Sequence, residues 1–136
     1  MKRLYLTFSD GIGVTASSLC IIHCLGTAAI GFLLPALGLS FLAGEEVHRA
    51  LAVVVVGAGL LAFVPGFRLH RSWPVAIFAA FGLSAIALAQ LWPDEALRER
   101  FEVMLTAFGG GMLIVAHWKN RALCRTHHCR DCHSTK

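Results

Sequence analysis

Four stretches of the chain carry no charged residue at all: Gly11–Gly44 (34 residues), Ala50–Phe67 (18), Ser72–Pro93 (22) and Val103–Trp118 (16). A helix needs about 20 mostly apolar residues to cross roughly 30 Å of hydrocarbon. Each run fits or approaches that length, and no soluble core of a 136-residue chain could hide them all. Composition agrees, with 57% hydrophobic residues, 15% charged residues and a mean hydropathy of +0.68. Together these exclude a soluble enzyme, a nucleic-acid-binding module and a secreted disulfide scaffold. The sequence predicts an all-α, polytopic membrane protein. It is a bundle of four transmembrane helices over roughly Ile12–Leu34, Ala50–Phe67, Trp73–Trp92 and Phe101–Trp118.

The net charge of +4 then reports topology. Lys2, Arg3, Arg68, Arg71, Lys119, Arg121, Arg125, Arg130 and Lys136 fall on one side of the four spans. Arg49, Arg98 and Arg100 fall on the other. Basic residues concentrate in short cytoplasmic segments, so both termini are expected in the cytoplasm. The apolar stretch Leu4–Phe8 is shorter than the roughly 7–15 residues of a secretory signal, so the N-terminus is expected to be retained. Residues 1–118 form a membrane domain, and residues 119–136 a cytoplasmic tail rich in Cys and His.

Proline and glycine punctuate the spans. Pro35 is expected to end or kink the first span, and Pro65-Gly66 to close the second. A basic turn, Arg68-Leu69-His70-Arg71, leads into the third span, which Trp73 and Trp92 anchor at the two interfaces. The small residues Ala76, Ala80 and Ser84, Gly57 and Gly59, and Gly109-Gly110-Gly111 mark faces where helices could approach closely, within one bundle or in a homo-oligomer.

Chemistry is concentrated in five cysteines and seven histidines. At about 100° per residue, His23 and Cys24 lie about 60° and 40° to either side of Cys20, so all three share one face of the first span. That face falls near the bilayer midplane, where an imidazole needs a partner or a function. Two thiols and an imidazole form a soft-metal ligand set. The tail supplies a second set: Cys124, His127, His128, Cys129, Cys132 and His133. In a reducing cytoplasm such clusters read as metal-binding sites more than as disulfides. A third candidate, Glu45 with His48, stands at the mouth of the second span, where surface charge and a helix cap explain it equally well. His70 and His117 read as interfacial residues.

The segments Cys20-Ile-Ile-His23-Cys24-Leu and Leu33-Leu34-Pro35-Ala36-Leu37-Gly38 resemble the first span of the MerC family of mercuric-ion transport proteins. Glu45-Glu46-Val47-His48, the His70-Arg71 turn and the chain length are also similar. The resemblance implies an inner-membrane protein that brings Hg(II) to a cytoplasmic mercuric reductase. Cys20 and Cys24 would be its first-span thiol pair, and the tail cysteines its cytoplasmic acceptors.

Beside the resemblance, softness matching favours Hg(II) on a dithiolate, with Zn(II) or Cu(I) as other ions of the right class. A dithiolate complex enters lipid without net charge and leaves by thiol exchange to the tail or to low-molecular-weight thiols. No nucleotide motif or phosphate loop is present, and neither enzymatic activity, a cofactor nor a nucleic-acid partner is expected. Two other readings compete. One is a membrane-anchored protein that binds or senses Zn or Cu without transporting it. The other, ranked last, is a thiol oxidoreductase, for which a helical i, i+4 cysteine pair closes poorly.

Overall fold

The computed structural model describes residues 2–91 and 95–133, with side chains described for 8–91 and 101–126. Helix α1 (Lys2–Ile30) is followed by two short 3-10 turns, Gly31–Leu33 and Ser40–Ala43. Then come α2 (Glu45–His70), α3 (Trp73–Leu91) and α4 (Glu95–His133), with no strand among the described residues. Segments Phe8–Leu33, Glu45–His70, Trp73–Leu91 and Phe101–Thr126 are each long and apolar enough to cross a membrane. The four-span all-α reading therefore stands. Trp92 lies outside the described residues, and so do the tail side chains from His127 onward.

Local chemistry sets the boundaries. Helix α1 stops five residues before Pro35, and Gly38 turns the chain in the left-handed region at φ 68°. Gly44, in extended conformation, starts α2, and Glu45 and Glu46 occupy its first turn, at the positive end of the helix dipole. At the other end Arg71 takes the left-handed conformation (φ 48°) and donates its N–H to the Phe67 carbonyl at 2.8 Å, closing the helix.

Two expectations need correction. The second span does not close at Pro65-Gly66, because α2 runs through the proline to His70. A proline costs one intrahelical hydrogen bond. Ending the helix there would leave several backbone groups unpaired in hydrocarbon, which costs more. On α3 the buried stripe is Val75, Ala79, Gly82, Ile86 and Ala89, whereas Ala80 and Ser84 face outward. The packing seam follows Gly82: a Cβ there would lie 2.9 Å from the Gly109 carbonyl of α4, so only two glycines allow this crossing. Gly59 and Gly110 also meet neighbouring helices, but Gly57 and Gly111 meet nothing.

The bundle is patterned for lipid. Large apolar side chains such as Ile22, Val53, Leu61, Phe81 and Phe108 point outward, while Asp10, Ser17, Thr106, His117 and Asn120 are buried. Helix α4 packs mainly on α1 and α3, and α1 also packs on α2. The contact between Asp10 and Asn120 shows that the start of α1 and the later part of α4 share one end of the bundle, here called the terminal end. The other end carries the Gly31–Gly44 connection and is called the loop end.

Candidate metal-ion site

On α1, Asp10, Gly13, Ser17, Cys20 and Cys24 recur at three- and four-residue intervals and are all buried. That spacing keeps them on one stripe facing the bundle interior. Cys20 and Cys24 are 2% exposed each, so neither thiol is turned toward acyl chains. Both are free thiols, one helical turn apart on that stripe.

The structure joins two candidate sites that the sequence kept apart. His48, the fourth residue of α2, meets the His23 ring edge-on at a centroid distance of 4.9 Å. Its Nδ1 lies 3.3 Å from the Gly44 carbonyl, which can only accept, so Nδ1 carries the proton and Nε2 the lone pair. His23 Nε2 is buried and has no hydrogen-bond partner. The site therefore gathers Cys20, Cys24, His23 and His48 between α1 and α2. It extends from the middle of the first span, Phe8–Leu33, toward the loop end.

Other members of the predicted set are placed elsewhere. Glu45 is exposed and pairs with Arg49 at 2.5 Å, and Arg49 also reaches Glu46 at 3.7 Å. Glu102, from the start of the fourth span, accepts a 3.0 Å hydrogen bond from the Gln90 amide of α3. Among the described residues no group of three or more His, Cys, Asp or Glu is arranged to hold a metal ion. The thiol pair is thus a two-donor site with imidazoles alongside, not a closed tetrahedral cage.

Cys124 is 6% exposed and belongs to the bundle. It follows His117 and Asn120 at seven and four residues, on the same inward face of α4. His127, His128, Cys129, Cys132 and His133 continue α4, and their side chains lie outside the described residues.

A second buried polar cluster corrects the reading of two histidines. His70 and His117 are not interfacial, being 9% and 0% exposed. The Ser72 N–H donates to His70 Nδ1 at 3.0 Å, so His70 Nε2 bears the proton and donates to Asn120 Oδ1 at 2.9 Å. Asn120 Nδ2 donates to both Asp10 oxygens at 3.0 and 2.9 Å, and His117 Nδ1 donates to Asp10 Oδ1 at 3.0 Å. The His117 ring stacks on Phe63 at 4.3 Å. Glycines make room for this cluster: a Cβ on Gly13 would collide with the His117 ring, and one on Gly66 would collide with the Asn120 amide. The sequence signal lies in the helical spacing that Asp10 shares with the two cysteines.

Four spans around a buried thiol and imidazole cluster define a small multi-pass membrane protein with a soft-ion ligand set in its interior. The chain belongs to the MerC mercury resistance protein family, which it matches over residues 10–122. The match takes in the whole of the Cys20–Cys24 and Asp10–Asn120 clusters and ends before Cys124. No curated protein and no solved structure matches the chain.

Proposed function

We propose that the chain carries Hg(II) across the cell inner membrane into the cytoplasm, with both termini on the cytoplasmic side. The observation that carries this reading is the buried, free Cys20–Cys24 pair, with the His23 and His48 rings in contact near the loop end. Hg(II) is soft and satisfied by two thiolates, which is the donor number this pair offers. Capture breaks two S–H bonds and forms two S–Hg bonds, and two protons pass to water through the mouth. The product is a neutral dithiolate complex that escapes most of the cost of charge in lipid. The His23 and His48 imidazoles offer an approaching ion its first nitrogen donors before the thiols close on it.

Release is by ligand exchange. Cys124 stands on the same bundle at the terminal end, with Cys129, Cys132, His127, His128 and His133 beyond it in sequence. An incoming thiolate replaces a bound one and passes the ion to low-molecular-weight thiols or a mercuric reductase. Nine basic residues on the terminal side, against three on the other, support the cytoplasmic assignment. The reading requires no catalytic residue and no resident cofactor.

A vesicle assay tests it. The purified chain is placed in sealed vesicles with excess glutathione inside. Hg(II) is presented outside as a charged thiol complex, which hydrocarbon excludes. Vesicles with the chain should accumulate Hg(II) on the internal thiol, and protein-free vesicles should not. Equal accumulation in both would defeat the proposal.

A further inference from the structure

On its outer side the bundle leaves a groove of about 660 Å³ where α1, α2 and α4 meet. The groove follows α1 from Phe8 to Leu19, and Leu51 and Val54 of α2 also line it. Small residues hollow it. A Cβ on Gly11 would meet nothing within 4 Å, and Thr15, one turn on, donates its hydroxyl to the Gly11 carbonyl at 3.0 Å. That bond spends the hydroxyl proton inside the helix, so Thr15 has none left for an occupant. The one charged residue of the lining is Arg121 of α4.

Arg121 stands at the terminal end. Its neighbour Asn120 holds Asp10, two residues from Phe8, where the apolar length of the first span begins. Arg121 is half-buried and has no ion-pair partner among the described residues. Asp10, the carboxylate of that end among the described side chains, is turned inward to His117 and Asn120. A cation at the edge of hydrocarbon without a counter-charge is costly, and an anion arriving there relieves that cost. From Phe8 to Leu19 the groove rises eleven residues, about 16 Å, or half of the roughly 30 Å hydrocarbon layer. Its depth is that of one leaflet.

We propose that this groove binds one anionic phospholipid of the leaflet at the terminal end, with an acyl chain along Gly11 and Thr15 and the headgroup phosphate on the Arg121 guanidinium. A planar guanidinium presents paired N–H donors that match two phosphate oxygens. A zwitterionic lipid brings its own cation beside the phosphate and gains less from Arg121, so the site selects by net charge. The depth of the groove argues against a further membrane helix, which would seek contact along the whole span. Charge argues against a second copy of the chain: a two-fold axis along the membrane normal would set one Arg121 against the other.

The test purifies the full chain in detergent with equal amounts of phosphatidylglycerol and phosphatidylcholine of the same acyl length, and weighs the intact complex by native mass spectrometry. The wild type should hold one phosphatidylglycerol per chain with about tenfold preference, the scale of one hydrogen bond to a charged group. Arg121→Gln should lose that preference. Gly11→Leu, at a position whose Cβ has free space around it, fills the groove and should lose the bound lipid although every charge is kept. Arg125→Gln removes an exposed cation of the same end that does not line the groove, and should bind as the wild type does. Wild-type preference in Arg121→Gln, retention of lipid by Gly11→Leu, an equal loss in Arg125→Gln, or a wild type that holds both lipids alike would each overturn the proposal. A wild-type dimer that Gly11→Leu separates would overturn it too, and would give the groove to a second copy.

Discussion

Serine at both positions 20 and 24 should abolish Hg(II) carriage while leaving the bundle assembled. The two side chains are 2% exposed and face the interior, and oxygen replaces sulfur with little change in volume. The fold therefore loses little. The ligand set loses everything that distinguishes a soft ion from a hard one, because hydroxyls neither ionise under these conditions nor match the softness of the metal. Loss of an outer-shell partner alone costs about 10–100-fold in metal affinity, so loss of both primary donors should reduce capture by more than about 100-fold. Equilibrium binding in lipid, with and without the two substitutions in a background where Cys124, Cys129 and Cys132 are Ala, checks this, with helical content measured alongside to show that the spans persist. Capture at the wild-type level would move the ion to other residues.

The second large effect concerns Asp10. Its carboxylate accepts hydrogen bonds from His117 and Asn120 and is 1% exposed, while Asn120 in turn accepts from His70. Asp10→Ala leaves two buried donors unpaired at once and detaches α1 from α4 and from the end of α2. Removing one partner of a buried pair costs about 3–5 kcal/mol. The variant should unfold in detergent at a markedly lower temperature than the wild type, and Asp10→Asn, which keeps an acceptor for one of the two donors, should fall between them. Wild-type unfolding of Asp10→Ala would mean that the network contributes nothing to assembly.

What the sequence makes legible is local. Runs without charge locate the spans, because each span must satisfy the same length and polarity in hydrocarbon. The helical angles of Cys20, His23 and Cys24 predict one shared face, and the two thiols and the His23–His48 contact agree with it. What it leaves hidden depends on which faces meet. The ring contact between His23 and His48 joins α1 to the first turn of α2, and spacing within either helix carries no trace of it. Asp10 and His117 are 107 residues apart, and Asp10 marks the edge of a charge-free run, so it reads as an end when it is in fact an interior residue. Asn120 stands among Lys119 and Arg121 and reads as part of a basic, wetted segment. On α3 the four-residue rhythm of Ala76, Ala80 and Ser84 selects the wrong face. Closest approach is decided by Gly82 against Gly109, a relation between two helices.

One expectation did point to a buried polar residue that must justify its position: an ionisable group inside a span is there for a partner or a task. Applied to the cysteine stripe it finds the thiol site. Extended along the same stripe by three and four residues, it would reach Ser17, Gly13 and Asp10, and with them the second cluster.

Carriage requires that Hg(II) be held by the sulfur atoms of Cys20 and Cys24. X-ray absorption at the mercury edge, on the full chain in lipid loaded with one Hg(II) under non-oxidising conditions, reads the donor atoms directly. In a background with Cys124, Cys129 and Cys132 replaced by Ala, two sulfur neighbours with Cys20 and Cys24 intact, replaced by nitrogen or oxygen neighbours or by no bound mercury when both are also Ser, are the predicted result. A sulfur environment unchanged by the double substitution would contradict it.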